Sequence, residues 1–312
     1  MLKTLTPLGE NNSTNDILKT ILYFDTFQYP ITSAEIAFYS KYPNAEIKAV
    51  LNNLTEKKVI YSNEEFYSTS QDIGLISRRK KGNLNAEKTF VKAKEMSAFI
   101  SQFPFIEGVF LSGSISKGYL GENDDIDYFI ITSPNRLWLS RTLLILYKKV
   151  FLLNSRKYFC VNYFMSSNAL EIPEKNRFTA TEFVTLIPMS GNGIYDSLKN
   201  DNSWVLDYFP AFSKKTKASE NIEKNFIRRF LEFIFKGSIG DTLDSFTMKL
   251  TKRHQEKKFK KLKQKDFKIA FKAQKNVSKH HPGNHQMRVI TSLNKSIQDF
   301  NTKHQLSIPL EK

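Results

Sequence analysis

Cysteine is almost missing from this chain, which holds only one, Cys160, among 312 residues. An intramolecular disulfide is therefore excluded, and with it the small scaffolds that depend on several disulfides for their stability. Cys160 lies within the apolar run Tyr158–Phe164. A cysteine in such surroundings behaves as a small hydrophobic side chain, so we interpret it as a buried, unreactive thiol rather than a nucleophile.

Long hydrophobic runs are missing as well. The longest, Leu137–Leu153, is interrupted by four polar side chains: Ser140, Arg141, Lys148 and Lys149. A membrane-spanning helix needs about 20 mostly apolar residues, so this run predicts a core-facing helix and no membrane span. The first residues also lack the apolar run of a secretory signal, and we therefore expect a cytoplasmic protein.

Acidic residues are scarce relative to basic ones, 31 against 47, which gives a formal net charge of +16. The excess is concentrated in Ser213–Arg288, where there are 21 basic and 7 acidic residues. Such a segment favours polyanionic partners, namely nucleic acid, anionic lipid or nucleotide. A solvated helical face explains the same charge without any partner, and the sequence leaves both interpretations open.

Apolar material is plentiful, since 40% of the residues are hydrophobic and 26 are phenylalanine. Within residues 12–72, helical spacing covers Asn15–Phe27 and Glu46–Lys57, with a short helix between them that begins after Thr32 or Ser33. Two short β-prone runs then flank a polar turn. Three helices followed by a β-hairpin is the order of a winged-helix domain, which we predict here.

The middle of the chain predicts α/β layering. Residues 73–104 predict a linker, including the polar stretch Arg78–Gly82, and then a helix over Asn85–Gln102. Residues 105–170 alternate β-prone runs with helices. The three predicted strands of this core are Gly108–Ser112, Asp127–Thr132 and Tyr158–Met165. We therefore predict an α/β (α+β) core with a mixed sheet.

Residues 171–312 predict a mostly helical, basic region. Thr179–Glu182 resembles a capping box ahead of a helix, and later helices are predicted at Asn221–Phe235, across Gly240–Lys272 and over His280–Gln298. The histidines at 280, 281 and 285 suggest a metal site, but no cysteine or spaced acid accompanies them. A surface turn, or a loop that contacts phosphate or the acceptor, is the favoured interpretation.

The segment Leu111–Thr132 combines residue types that suit phosphate chemistry. Gly113 follows a β-prone run, and a residue without a Cβ lets the backbone approach phosphate oxygens closely. Ser114 and the amides after it would begin a short helix, whose unpaired N–H groups favour an anion. Lys117 is a candidate point charge for a phosphate, although solvent exposure would explain it equally, and Gly118 completes the predicted nucleotide-binding set.

Two carboxylates complete this motif. Asp125 and Asp127 are two residues apart at the start of a predicted strand, so their side chains project from the same face. Two carboxylates on one face suit Mg²⁺ or Mn²⁺, which prefer oxygen ligands. A metal held there would bridge phosphate oxygens and orient an in-line attack. Ile126 between them points into the core.

Gly-Ser, ten further residues and Asp-apolar-Asp resemble the defining motif of the polymerase-β-type nucleotidyltransferase superfamily. The whole chain is similar to a group of predicted nucleotidyltransferases with an N-terminal winged-helix domain. The resemblance implies a Mg²⁺-dependent enzyme that moves an NMP group from an NTP, with ATP as the expected donor, and releases pyrophosphate. It does not identify the acceptor.

The superfamily usually has a third carboxylate on its third strand, and the matching position here is Asn162. A neutral amide is a poor base and adds no negative charge. The alternative function is therefore a catalytically impaired nucleotide-sensing regulator, with nucleic acid or a protein partner bound by the winged helix or the basic C-terminal region. A third option is the neutralising half of a toxin–antitoxin pair, because small proteins of this fold occur in such pairs.

Overall fold

The computed structural model describes residues 12–213, 223–259, 271–280 and 284–311. These residues form a mixed α/β fold that contains ten α-helices, a three-stranded sheet and a six-stranded mixed sheet. The predicted α/β class with a mixed sheet is confirmed. No helix in the described ranges is long and apolar enough to cross a membrane.

The N-terminal part consists of three helices and a small antiparallel sheet. Its elements are α1 (Asn12–Asp25), β1 (Ile31–Thr32), α2 (Ser33–Phe38), α3 (Asn44–Glu56), β2 (Tyr61–Asn63) and β3 (Phe66–Ser68). The strand order is β1-β3-β2, so the hairpin is joined by a short first strand that the sequence did not predict. Thr32 and Glu35 form a reciprocal capping box at the start of α2, which confirms the predicted beginning of that helix.

The six-stranded sheet is the central element of the molecule. Its strands are β4 (Ile106–Ser112), β5 (Asp127–Thr132), β6 (Cys160–Ser166), β7 (Ile187–Ser190), β8 (Phe271–Gln274) and β9 (Val277–His280). They lie in the order β7-β4-β5-β6-β9-β8, and every neighbouring pair is antiparallel except β5 and β6. The remaining helices are α4 (Gly74–Ile100), α5 (Leu137–Phe151), α6 (Arg177–Val184), α7 (Asn192–Asp201), α8 (Phe226–Ile234), α9 (Ser238–Lys258) and α10 (His285–His304).

The predicted linker at Arg78–Gly82 is wrong, because α4 already begins at Gly74 and runs through it. The side chain of Arg79 is buried, and its guanidinium donates to the Pro30 carbonyl at 2.8 Å and to Glu35 Oε1 at 2.7 Å. A basic run that looks solvated in sequence is therefore held in a helix by partners that lie more than forty positions earlier.

The C-terminal region is not only helical, since it supplies three strands to the large sheet. The helix predicted across Gly240–Lys272 ends at Lys258, and Phe271 opens β8; residues 260–270 lie outside the described ranges. The predicted capping box at Thr179–Glu182 is also wrong. The N-cap of α6 is Asn176, whose side chain accepts from the Thr179 amide at 3.0 Å.

Apolar side chains cover the large sheet on both faces. Phe110 and Phe129 point to one side, whereas Val109 and Ile130 point to the other, as the two-residue period of strands requires. The first side is continuous with the core of the N-terminal helices, in which Ile21 is fully buried. The second side packs beneath α4 and α5. The N-terminal helices and the sheet therefore share one hydrophobic core.

Candidate functional site

Three strands meet at the edge of the sheet that carries the Gly-Ser and Asp-x-Asp residues. Ser112, the last residue of β4, pairs with Asp127, the first residue of β5, and Asp127 pairs in turn with Cys160 at the start of β6. Because β4 runs antiparallel to β5 while β6 runs parallel to it, the end of one strand and the starts of two others lie side by side. Residues separated by some fifty positions in sequence therefore share one edge.

The backbone turns sharply at Gly113, where φ is +69°. A Cβ at this position would lie 2.6 Å from Asp127 Oδ2, closer than non-bonded atoms can approach. Both the left-handed conformation and the contact require glycine. The turn after β4 and the first carboxylate of β5 are therefore in direct contact.

The turn continues as a single turn of 3-10 helix, Ile115–Lys117, rather than as a longer helix. The hydroxyl of Ser116 donates to the Gly113 carbonyl at 2.8 Å, and Lys117 Nζ donates to the same carbonyl at 3.0 Å. Gly118 ends the turn with φ +68°, and its carbonyl accepts from Asn83 of α4 at 2.9 Å. Lys117 thus stabilises the Gly-Ser turn.

Asp124, to which the sequence analysis assigned no role, organises the loop before β5. Its Oδ2 accepts from the Ser114 hydroxyl at 3.1 Å and from the Gly121 amide at 2.9 Å. The carboxylate joins the Gly-Ser turn to the loop that delivers Asp125 and Asp127. Asp124 is therefore a positioning residue for both halves of the motif.

A β-bulge brings Asn162 onto Asp127. Tyr128 pairs with Val161 and Phe129 with Tyr163, so Asn162 is the extra residue of β6 and has no Cα partner on β5. Its amide nitrogen donates to Asp127 Oδ1 at 2.8 Å. The residue that matches the third-carboxylate position therefore contacts the candidate metal ligand directly.

The surroundings of Asp127 oppose its ionisation. Burial raises the pKa of this carboxyl to about 6; the negative charges of Glu182 and Asp125 act in the same direction, whereas hydrogen bonds from Cys160 and Asn162 act against it. Burial and the neighbouring Asp127 raise the pKa of the half-buried Cys160 thiol far above its ordinary value. The thiol is therefore protonated at neutral pH and serves Asp127 as a hydrogen-bond donor.

The oxygen atoms at this edge suit a hard divalent cation. In the described part of the chain, no group of three or more His, Cys, Asp or Glu side chains is arranged to hold a metal. The prediction that Asp125 and Asp127 share a strand face is wrong, because β5 begins at Asp127 and Asp125 lies in the loop before it. These two acids would be the carboxylate ligands. Mg²⁺ is commonly held by one or two carboxylates, with water and substrate phosphates completing its shell, so the residues present fit it. A cation beside Asp127 would also favour the ionised carboxylate that burial disfavours.

Glu182 is a residue of this site that sequence reasoning did not find. It lies on α6, and its Oε1 pairs with Lys117 Nζ at 2.9 Å. Its negative charge acts on Asp127, and its side chain is 30% exposed. No local pattern could have indicated this role, because the contact joins positions 65 residues apart whose proximity depends on the fold.

The N-terminal part also contacts the turn. The hydroxyl of Tyr29 donates to the Lys117 carbonyl at 3.1 Å, and the Arg79 guanidinium lies 3.6 Å from the centre of the Tyr29 ring. Arg79 and Glu35 are paired at 2.7 Å beside it. The Gly-Ser turn therefore contacts α4 and the segment that precedes β1, and Glu35 of α2 bonds to Tyr29 and Arg79 beside it.

The other candidates from the sequence lie elsewhere. The outward face of α3 exposes Lys48, Asn52, Asn53 and Glu56, a mixed rather than a basic surface. Residues 281–283, the side chain of His280 and the basic run beyond 259 lie outside the described part. A cavity of about 590 Å³ is lined by Trp204 and Arg177, among others, and contains none of the motif residues.

Comparison with known protein families, with curated proteins and with solved structures returned no match for this chain.

Proposed function

We propose that this chain binds a nucleoside triphosphate with Mg²⁺ at the edge formed by Gly113, Asp125 and Asp127 and transfers its nucleotidyl group to an acceptor. The observation that carries this proposal is the contact between the left-handed turn at Gly113 and the Asp127 carboxylate. An open turn of backbone amides favours phosphate, and the carboxylates favour the metal that accompanies it. ATP is the donor we expect.

In this proposal some residues bind the phosphates and the metal, and others position those residues. The amides that follow Gly113, including the Ser114 amide, hold the phosphates, while Lys117 neutralises part of their charge. Asp125 and Asp127 would hold Mg²⁺, which when bound supplies stabilisation of the charge that develops on the phosphate oxygens. Asp124 keeps the two halves of the site together through its bonds to Ser114 and the Gly121 amide.

The transfer itself is an in-line substitution at the α-phosphorus. An acceptor oxygen forms a bond to that phosphorus, the bond to the bridging oxygen breaks, and pyrophosphate leaves with the electron pair. The acceptor proton passes to solvent in this scheme, because the amide of Asn162 is not a base.

An alternative function is supported by Asn162. Its amide nitrogen already donates to Asp127 Oδ1, where a third carboxylate would act with a second metal. The chain would then sense a nucleotide rather than transfer it. The three helices and the β1-β3-β2 sheet of the N-terminal part, a winged-helix-like order, would contact DNA or a protein partner.

Calorimetric titration of the full chain with each of the four NTPs, in the presence of Mg²⁺, tests the proposal. We expect binding of at least one NTP, and we expect Asp125→Asn combined with Asp127→Asn to weaken it about tenfold or more, because the metal loses both carboxylates. Glu122→Gln is the matched control, since Glu122 is an exposed acid on the same loop that pairs with Lys81. The Glu122→Gln variant should bind the NTP with the same affinity as the wild type.

Three outcomes distinguish the proposal from its alternative and from the absence of a nucleotide site. Absence of NTP binding, or binding that the double variant leaves intact, contradicts a nucleotide site at this edge. Binding followed by pyrophosphate release in the presence of candidate acceptors supports the transferase. Binding without release, across nucleic acid, protein and small-molecule acceptors, favours the sensing function.

A further inference from the structure

Two of the three charged side chains of α8, Arg228 and Glu232, are turned towards the protein, whereas Arg229 is exposed. Arg228 is 6% exposed, and its guanidinium donates to the backbone carbonyls of Ser101 and Ile106, the latter at 2.6 Å. Glu232 accepts from the Phe105 amide at 2.9 Å and pairs with Arg228 Nε at 2.9 Å. These hydrogen bonds thus attach α8 to the end of α4 and the start of β4.

The apolar face of α8 points away from the protein. Phe226 and Phe233 are 80% and 77% exposed, and Phe230, between them on the same face, is also exposed. Ile227 and Ile234 are exposed as well. A surface helix ordinarily buries its apolar face and exposes its charges, so the arrangement here is reversed. Large exposed apolar patches mark surfaces that contact another molecule.

Two other helices also expose apolar side chains. α9 follows α8 directly and exposes Ile239, Phe246 and Leu250, which are spaced for one helical face. α9 also packs on α5, because Asp244 accepts from the amides of Trp138 and Leu139 at 2.7 and 2.9 Å. The end of α5 exposes a further apolar group: Leu146, Val150 and Phe151.

Exposed cations occur in the same segments as these apolar residues. Ten cations of residues 137–158 and 226–258 are exposed: Lys149, Arg156, Lys157, Arg229, Lys236, Lys249, Lys252, Arg253, Lys257 and Lys258. The exposed acids of the same two ranges are Asp241, which pairs with Arg136, and Glu256. Exposed apolar side chains together with a large excess of exposed cations have the chemistry of an anionic lipid interface.

We propose that α8, together with the exposed apolar residues of α5 and α9, docks on the surface of an anionic membrane. The phenylalanine and isoleucine side chains enter the boundary between headgroups and acyl chains, while the surrounding lysines and arginines contact the headgroups. A second copy of this chain would bring like charges together around the same patch, which opposes self-association. Nucleic acid would match the cations but would leave aliphatic side chains such as Ile227 and Leu250 without an apolar partner.

Co-sedimentation of the full chain with large vesicles tests this. One set contains phosphatidylcholine alone, and the other contains about a third phosphatidylglycerol, which supplies the negative surface. We expect binding to the anionic vesicles and little binding to the neutral ones. Phe226→Ser with Phe233→Ser should lower the partition coefficient about tenfold or more, because two large apolar side chains no longer enter the lipid.

The control is Ile73→Ser with Leu310→Ser, which removes two exposed apolar side chains from other parts of the chain and should leave partitioning unchanged.

In a separate variant, Phe230→Trp, tryptophan emission should shift to shorter wavelength when anionic vesicles are added. Thermal melts of all variants check that they fold, which the exposure of the substituted residues leads us to expect.

Three results would overturn the membrane proposal. The first is failure of the wild type to sediment with anionic vesicles, or equal sedimentation of the Phe226/Phe233 variant. The second is a dimer in sedimentation velocity that the same variant abolishes. The third is binding of labelled duplex DNA that is lost in this variant, which would assign the surface to nucleic acid. None of these results bears on NTP binding at Gly113 and Asp127.

Discussion

At the scale of single residues, Asn162 has an effect that its neutral side chain does not suggest. The bulge in β6 directs its amide nitrogen to Asp127, where its hydrogen bond favours the ionised form of a carboxyl whose pKa burial raises. A carboxylate in this position would instead repel Asp127 unless a cation lay between them. Asparagine and aspartate therefore suit different metal occupancies of the same edge.

Asn162→Asp should make the stability of the protein depend on Mg²⁺. In buffer with EDTA we expect the free energy of unfolding to fall by about 1–3 kcal/mol, because a donor is replaced by a second, partly buried negative charge. Millimolar Mg²⁺ should recover most of this loss, since a ligand that binds only the folded state stabilises it. Thermal melts with and without Mg²⁺ measure both effects.

Asn123→Asp is the control for this measurement. Asn123 lies on the exposed loop before Asp124, so the same change of charge there leaves the surroundings of Asp127 as they are. Its melting temperature should respond to Mg²⁺ as the wild type does. If Asn162→Asp and Asn123→Asp respond alike, Asn162 is not part of a metal site.

At the scale of elements, α4 connects the N-terminal part to the Gly-Ser turn. Near its start, Arg79 donates to Pro30 and Glu35, and one turn later Asn83 donates to Gly118. Gly82, between them, lies so close to the Tyr119 ring that a Cβ would come within 2.1 Å of it. One helical turn thus contacts both the segment before α2 and the end of the Gly-Ser turn.

Arg79→Met should therefore destabilise the N-terminal part and the Gly-Ser turn as well as α4. We expect a loss of about 2–4 kcal/mol, because buried acceptors such as the Pro30 carbonyl lose their donor while Glu35 loses its counter-charge. Lys88→Met, an exposed position on the same helix, should change stability by less than about 0.5 kcal/mol. Urea denaturation at neutral pH compares the two variants, and equal losses would contradict the role assigned to Arg79.

The sequence predicted those elements whose signals are local. A cap at Thr32 or Ser33 predicted the start of α2, which begins at Ser33. The strand predicted after the motif is observed, but it begins at Asp127, so Asp125 lies in the loop before β5 and not on the strand. The start of α4 was missed because the partners of Arg79 are distant in sequence. The same reason applies to β8: Phe271 lies in a lysine-rich stretch and is extended because β9 pairs with it.

The candidate site also combines residues that the sequence predicts with residues that it does not. Residues of the continuous motif, from Gly113 to Asp127, could be selected from their types and spacing. The position of Glu182 beside Lys117 could not, because it depends on how α6 packs against the sheet. The bulge that turns Asn162 towards Asp127 has no sequence signature either, since it is a matter of register between two strands.

At the scale of the whole molecule, one hydrophobic core extends from the N-terminal helices to the sheet. Ile17 and Ile21 of α1, Phe110 and Phe129 of the sheet, and Leu293 of α10 belong to one contiguous cluster. Arg177 of α6 adds a polar link, since its guanidinium pairs with Asp16 of α1 at 3.4 Å. Elements from both ends of the chain therefore stabilise the same core.

This continuity predicts that the N-terminal helices and the sheet unfold together. Ile21→Ala removes a fully buried side chain of α1, for which we expect a cost of about 2–5 kcal/mol. If the core acts as one unit, the whole transition moves to lower temperature and remains single. Calorimetry should then give equal van't Hoff and calorimetric enthalpies, as a two-state transition requires. Fluorescence of Trp138, which is buried on the other face of the sheet, should follow the same transition. A variant in which far-UV ellipticity falls before Trp138 responds would show instead that the N-terminal helices unfold on their own.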